Sequence, residues 1–205
     1  CKREREISKA IKELKQSYKT NTTKIPRELS YLVGKHREMY LHDMKLCQEF
    51  AKINRRTIQS IICYYMCWEV TKETERFQTI HNYIEYDTNI VRKGAISAKT
   101  GEKVLIPINM RDGCILGIGK GNEDWNYSAP HGAGRTMSRS KAKESILLEE
   151  YQKAMDGIFT TSVNTSTIDE SPMAYKTMDE IIGNIKDTVE IVDIIKPIYN
   201  FKANE

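Results

Sequence analysis

Between residues 88 and 135 the chain alternates short β-branched runs with glycine-bearing turns, and this alternation constrains the fold more than any other feature. Ile90, Val91 and Ile96 mark one run, and Val104, Leu105 and Ile106 the next. Lys99-Thr100-Gly101 lies between them, so residues 88–98 and 102–108 are predicted to pair as a hairpin. Cys114-Ile115-Leu116-Gly117-Ile118 is a further predicted strand, followed by a Gly- and Asn-rich segment from Gly119 to Arg135. Helical patterns flank this region without a βαβ rhythm. The expected class is therefore α+β, with mixed helices and a mostly antiparallel sheet.

Before the β region, Ile7, Ala10, Ile11, Leu14 and Tyr18 recur at helical spacing and predict a charged helix over about Lys2 to Lys19. A longer helix is predicted from Glu38 to Val70. Its stripe of Tyr40, Met44, Cys47, Ala51, Ile58, Ile61 and Tyr65, interrupted by Asn54, reads as core. Cys63 and Cys67 are expected to lie on this helix as buried apolar side chains. After the β region, Ser138 or Ser140 is the expected cap of a helix reaching Gly157. Residues 160–171 read as a Thr/Ser-rich loop. Thr177-x-x-Glu180 opens a last helix, and Ile191 to Phe201 reads as short strand or extended chain.

Thirty-two Lys and Arg against 28 Asp and Glu leave a charge of only +4, so nucleic-acid binding would need a local basic patch. No stretch is long and apolar enough for a membrane span. Five cysteines without framework spacing fit a reducing compartment, and the expected location is cytoplasmic.

The densest chemistry lies in Pro130-His131-Gly132-Ala133-Gly134-Arg135-Thr136-Met137-Ser138-Arg139. Small residues let a ligand approach backbone N–H groups. Arg135 and Arg139 offer two guanidiniums beside a helix start. A neutral imidazole in that setting can attack phosphorus and hold a phosphoryl group. The plainer alternative is a glycine-rich turn with an ordinary histidine. His81 reads as a metal ligand, a base or a structural histidine, and His36 and His42 as helix-start residues. Arg92-Lys93-Gly94-Ala95, Pro107 to Gly113 and Gly119-Lys120-Gly121-Asn122 add cation- and glycine-bearing turns. They suggest a nucleotide pocket, although neither a P-loop nor a GxGxxG fingerprint occurs.

These segments, together with Leu41-His42-Asp43-Met44, Asn54-Arg55, His81-Asn82-Tyr83 and Ala174-Tyr175-Lys176, resemble in order and spacing the RtcB family of GTP-dependent RNA-splicing ligases. The resemblance implies joining of an RNA 3′-phosphate or 2′,3′-cyclic phosphate to a 5′-hydroxyl, with GTP and Mn²⁺. It places the nucleophile, which would carry GMP, at His131, and a Mn²⁺ ligand at His81. Asn82, Pro107, Ile108, Asn109, Met110, Gly132, Ala133 and Gly134 fall at nucleotide-site positions. Tyr175 and Lys202 match the guanine end, and Cys114 stands where a guanine-contacting serine is expected. Lys93, Arg135 and Arg139 are the expected phosphate and RNA contacts.

Residues 26–205 resemble the C-terminal half of that fold, with residues 1–25 as a connecting helix. The family's remaining metal ligands have no match here, so the N-terminal half is an expected partner, beside RNA ends such as tRNA halves. Two rival functions are a phosphohistidine phosphatase or phosphodiesterase, and a non-catalytic nucleotide- or RNA-binding remnant.

Overall fold

The computed structural model describes Lys9, residues 31–71 and residues 74–202. The helix predicted over Lys2 to Lys19 lies, apart from Lys9, outside the described residues. The chain forms two units, Cys1–Thr57 and Ile58–Glu205. Helix α1, Gly34–Tyr65, runs from the first into the second. It begins and ends earlier than its periodicity suggests. Cys67 takes a left-handed conformation (φ 53°), and Trp68 N–H donates to Cys63 O at 2.9 Å. That bond is the six-to-one closure of a helix terminus.

Two expectations fail here. Cys67 lies beyond α1 and is exposed, and Cys63 is only half-buried, so the pair is not a buried apolar couple on one helix face. No residue of α1 is buried, and Tyr40, Ile58, Ile61 and Tyr65 remain about half or more exposed. An apolar stripe names the face that can pack, not what it packs against.

The second unit is built on a three-stranded antiparallel sheet of β4 (Lys103–Asn109), β5 (Gly113–Gly119) and β8 (Val189–Ile195), in the order β4-β5-β8. Alternation buries Val104, Ile106 and Ile108 of β4 and Ile115 of β5 on one face. Helix α4, Met178–Ile185, lays Ile181 and Ile185 on that face and completes the first core with Val189. Thr177 caps α4 as expected, its side chain accepting from Glu180 N–H. A second core gathers Ala142 of α2 (Arg139–Ser145), Tyr151 of α3 (Leu148–Ala154), Met110, Ile146, Met155, Ile168 and Ala174.

The hairpin predicted from 88–98 and 102–108 does not form. Gly94 turns through φ 68° and splits the first run into β2 (Ile90–Arg92) and β3 (Ala95–Ser97). β2 pairs with β1 (Tyr83–Glu85), and β3 with β6 (Ser128–Pro130). β4 instead pairs with β5. Their turn is closed by the Asn109 Oδ1, which accepts from Arg111 N–H at 3.0 Å and Asp112 N–H at 2.8 Å. The single helix expected from Ser138 to Gly157 is two, because the chain turns extended at Ile146 and Leu147. Within the Thr/Ser-rich segment, Thr165–Glu170 is a 3₁₀ helix. The tail forms β8 and β9 (Tyr199–Asn200), the latter parallel to β7 (Phe159–Thr160).

Arg92 is not a phosphate-facing cation. It is 2 % exposed and donates to Ser128 Oγ, Tyr83 Oη, Glu85 Oε2 and Asn126 O. Glu85 also meets Lys99 Nζ at 2.5 Å. Burial would raise the Glu85 carboxyl, but Lys99, Thr88 and Arg92 outweigh it and hold it at about 2 against an ordinary 4.5. A depressed carboxylate stabilises the fold above its unfolded value and loses that contribution as pH falls through the folded one. Glu85→Gln should therefore lower the urea midpoint at pH 7. The gap to wild type should shrink below pH 4.5 and vanish near pH 2, as urea titrations across that range would show.

Candidate active site

β6 delivers His131 to the open edge of β4. There Ala133 N–H donates to Pro107 O at 3.1 Å. A Cβ on Gly132 would stand only 3.0 Å from that carbonyl, so a side chain would push the loop outward. The other side of the loop is held by Thr136 N–H on Ala174 O (2.9 Å) and Lys176 N–H on Gly134 O (3.1 Å). Ser138 then caps α2, accepting from Lys141 N–H.

The His131 Nδ1 lies 2.6 Å from Gly94 O. A carbonyl only accepts, so Nδ1 carries the proton and the neutral ring keeps its lone pair on Nε2. Gly94 is itself fixed, since its N–H donates to Asn82 Oδ1 at 2.8 Å. The His81 ring stands edge-on to His131 with centroids 4.8 Å apart.

His131 opens onto a cavity of about 870 Å³, within the range of small-molecule sites. Its lining includes Pro107 to Met110, Cys114, His81 and Gly132 to Arg135. Arg139, Tyr175 and Lys202 line it as well. Two predicted residues are not brought in. Asn82 supports Gly94 from behind, and Lys93 is exposed away from the lining. The Asn109 side chain is committed to its own turn and to Asp112. The Met110 sulfur accepts from Tyr151 Oη inside the second core. Burial raises the Cys114 thiol, so it stays protonated at neutral pH.

Sequence reasoning missed the acids. Glu170 lines the cavity. Its Oε1 lies 2.7 Å from Arg135 Nη2, and its Oε2 accepts from Tyr175 Oη at 2.8 Å and meets Lys202 Nζ at 3.2 Å. Asp169, 3 % exposed, faces Arg139 at 3.4 Å, Lys143 at 3.6 Å and Arg135 at 3.7 Å. Four cations thus surround two carboxylates, and the cluster keeps a net positive charge suited to a polyanion. Burial raises the Glu170 carboxyl, but Tyr175, Lys202 and Arg135 outweigh it and leave it lowered. Burial and then Glu170 push the Tyr175 hydroxyl up to about 12. Two adjacent acids at the end of a neutral Thr/Ser-rich stretch were the available signal.

The volume and the cations beside the His131 imidazole would suit a phosphate-bearing small molecule such as a nucleoside triphosphate. A manganese pair does not fit these residues alone: among those described, no three His, Cys, Asp or Glu side chains gather to hold an ion. None of the described helices is long and apolar enough to cross a membrane.

Residues 5–203 match the family model for tRNA-splicing ligase RtcB. The RNA-splicing ligase RtcB of Escherichia coli strain K12 is 30% identical over 213 residues, covering 96% of this chain and 51% of the relative. RNA-splicing ligase RtcB1 of a second Escherichia coli strain is 29% identical with the same coverage. The tRNA-splicing ligase RtcB of Aeropyrum pernix is 41% identical over 86 residues, 40% of this chain and 18% of that protein. The chain spans about half the length of the Escherichia coli relatives.

If Asn82 orients His131 through Gly94, Asn82→Ala should loosen the imidazole without altering the cavity lining. In nitrogen NMR of the histidine rings, His131 should change from one Nδ1–H tautomer to a mixture, while the chain's melting temperature falls by no more than a few degrees.

Proposed function

The chain belongs to the RtcB family, and we propose that it is the nucleotide-accepting portion of an RNA ligase that joins an RNA 3′-phosphate or 2′,3′-cyclic phosphate end to a 5′-hydroxyl. The observation that carries this reading is the bond between His131 Nδ1 and Gly94 O. It leaves Nε2 as the nucleophilic atom in a ring that lines a cation-bearing cavity.

In the first step His131 Nε2 donates its lone pair to the α-phosphorus of GTP. A P–N bond forms, the bond to the bridging oxygen breaks, and pyrophosphate leaves. The ring gains positive charge in this step, and Gly94 O stabilises it by accepting from Nδ1–H. Arg135 and Arg139 offset phosphate charge, while Tyr175 and Lys202 receive the guanine end. A 2′,3′-cyclic end is first opened by water, which breaks the P–O2′ bond and leaves a 2′-hydroxyl and a 3′-phosphate. An oxygen of that 3′-phosphate then attacks the GMP phosphorus, the P–N bond breaks, and His131 regains its lone pair. Attack by the 5′-hydroxyl forms the phosphodiester and releases GMP. Manganese, with His81 as one donor, belongs to this chemistry only where further donors join it.

The test is parallel labelling with α-³²P GTP and γ-³²P GTP in the presence of Mn²⁺, using the chain alone and the chain supplemented with the N-terminal half of a family member; the reading expects label from the α-phosphate only. Supplemented protein should take up label that is acid-labile and alkali-stable, and His131→Ala should abolish it. The chain alone should take up none, because His81 is a single donor. Label on another residue, or label arriving from the γ-phosphate, would overturn the reading, the second result in favour of a phosphohistidine phosphatase.

A further inference from the structure

We infer that Glu170 is a positioning residue, holding the Tyr175 hydroxyl, the Lys202 ammonium and the Arg135 guanidinium in one arrangement and through them setting which nucleoside triphosphate the cavity prefers. The inference rests on the nucleotide-accepting reading and deepens it.

These three side chains come from separate parts of the chain: the loop after β6, the segment after the 3₁₀ helix at Pro172–Ala174, and the tail after β9. Both Glu170 oxygens are engaged, Oε1 by Arg135 and Oε2 by Tyr175 and Lys202. Among the described residues, the carboxylate is thus a group that all three touch. Arg135 Nη2 also donates to Tyr175 Oη at 2.9 Å, and its guanidinium carbon lies 4.8 Å from the ring centroid. Moving any member therefore moves the others.

Without the carboxylate, two cations would face each other without a shared counterion, and the Tyr175 proton would lose its acceptor. Lys202 is a long side chain with many rotamers, so an anchor decides where its ammonium rests. Asp169 cannot stand in, because it faces Arg135, Arg139 and Lys143 and pairs with neither Tyr175 nor Lys202. The consequence for selection follows from donor chemistry. An ammonium only donates, so it suits the carbonyl oxygen of guanine and opposes the amino group at the same place on adenine.

Calorimetric titration of the 205-residue chain with GTP and with ATP tests this. Wild type should prefer GTP. Glu170→Gln keeps the shape but removes the charge. It should weaken GTP binding by about tenfold, as for one lost charge-assisted contact, and narrow the GTP-over-ATP preference. In carbon NMR of labelled tyrosine, Tyr175 should titrate lower than in wild type. Lys202→Met should narrow the preference equally, and the double variant should add little, since both act through one contact. A purely structural Glu170 would leave the ratio of the two affinities unchanged. That result, or additive effects in the double variant, would overturn this inference alone. A wild-type chain that binds neither nucleotide would overturn the functional reading and this inference with it.

Discussion

The hydrogen bond from Ala133 N–H to Pro107 O joins the loop that carries His131 to the sheet, and the rest of the candidate site is arranged around it. It is possible because β4 is an edge strand. Proline has no N–H to give a neighbouring strand, so it belongs at such an edge. Its carbonyl is still available, and the register shifts between Pro107 and Asn109 where the strand bends toward its turn. Gly132 permits the close approach, and Ala133 is small enough to enter the first core at 4 % exposure. Rigid packing below the loop is what fixes the imidazole above it.

Two cores meet beneath the cavity, and Tyr175 packs against both. Its ring belongs to the packing and its hydroxyl to the charge cluster. The isolated bridge between Arg135 and Tyr175 ties the loop to this junction. A disturbance in either core can therefore reach the cluster through one side chain. The charges do not hold the fold together by themselves. The partly exposed pairs of Arg139 and Lys202 contribute little stability in water, whereas burial of Val104, Ile106, Ile115 and Ile185 contributes roughly 1.5–3 kcal/mol each.

How much of this was legible varied with the range of the interactions involved. Local signals read well: β5 and the Thr177 cap lie where the β-branched run and capping chemistry put them, Ser138 rather than Ser140 caps α2, and the tail, open between short strand and extended chain, carries β8 and β9. Most candidate residues, from Pro107 through His131 to Lys202, converge on one cavity. Strand pairing was not legible, because a turn at Lys99-Thr100-Gly101 does not reveal that β4 finds a longer partner in β5. Arg92 and Lys93 look alike in sequence, yet Arg92 turns inward to Glu85 and Tyr83 while Lys93 stays in solvent. The adjacent acids Asp169 and Glu170 stand out in the sequence, but the role of Glu170 was not legible for the same reason: its three partners lie both before and after it and meet only in the folded chain.

The pairing of β5 with β8 sets the order in which the molecule can assemble. Cys114 faces Ile195, and Gly119 faces Val189, so the sheet joins residues far apart in the chain. Emerging from a ribosome, β4 and β5 can close early as a hairpin. The outer rim of β5 then stays open until residues 189–195 have been made. A late, non-local closure of this kind slows folding and leaves a strand edge available to other chains. The wait is also built into the glycines. A Cβ at Gly113 would overlap Ile195 O, and one at Gly117 would overlap Val189. β5 thus keeps a bare flank fitted to one late-arriving strand, and the cavity wall formed by Cys114 and the tail exists only after that strand has docked.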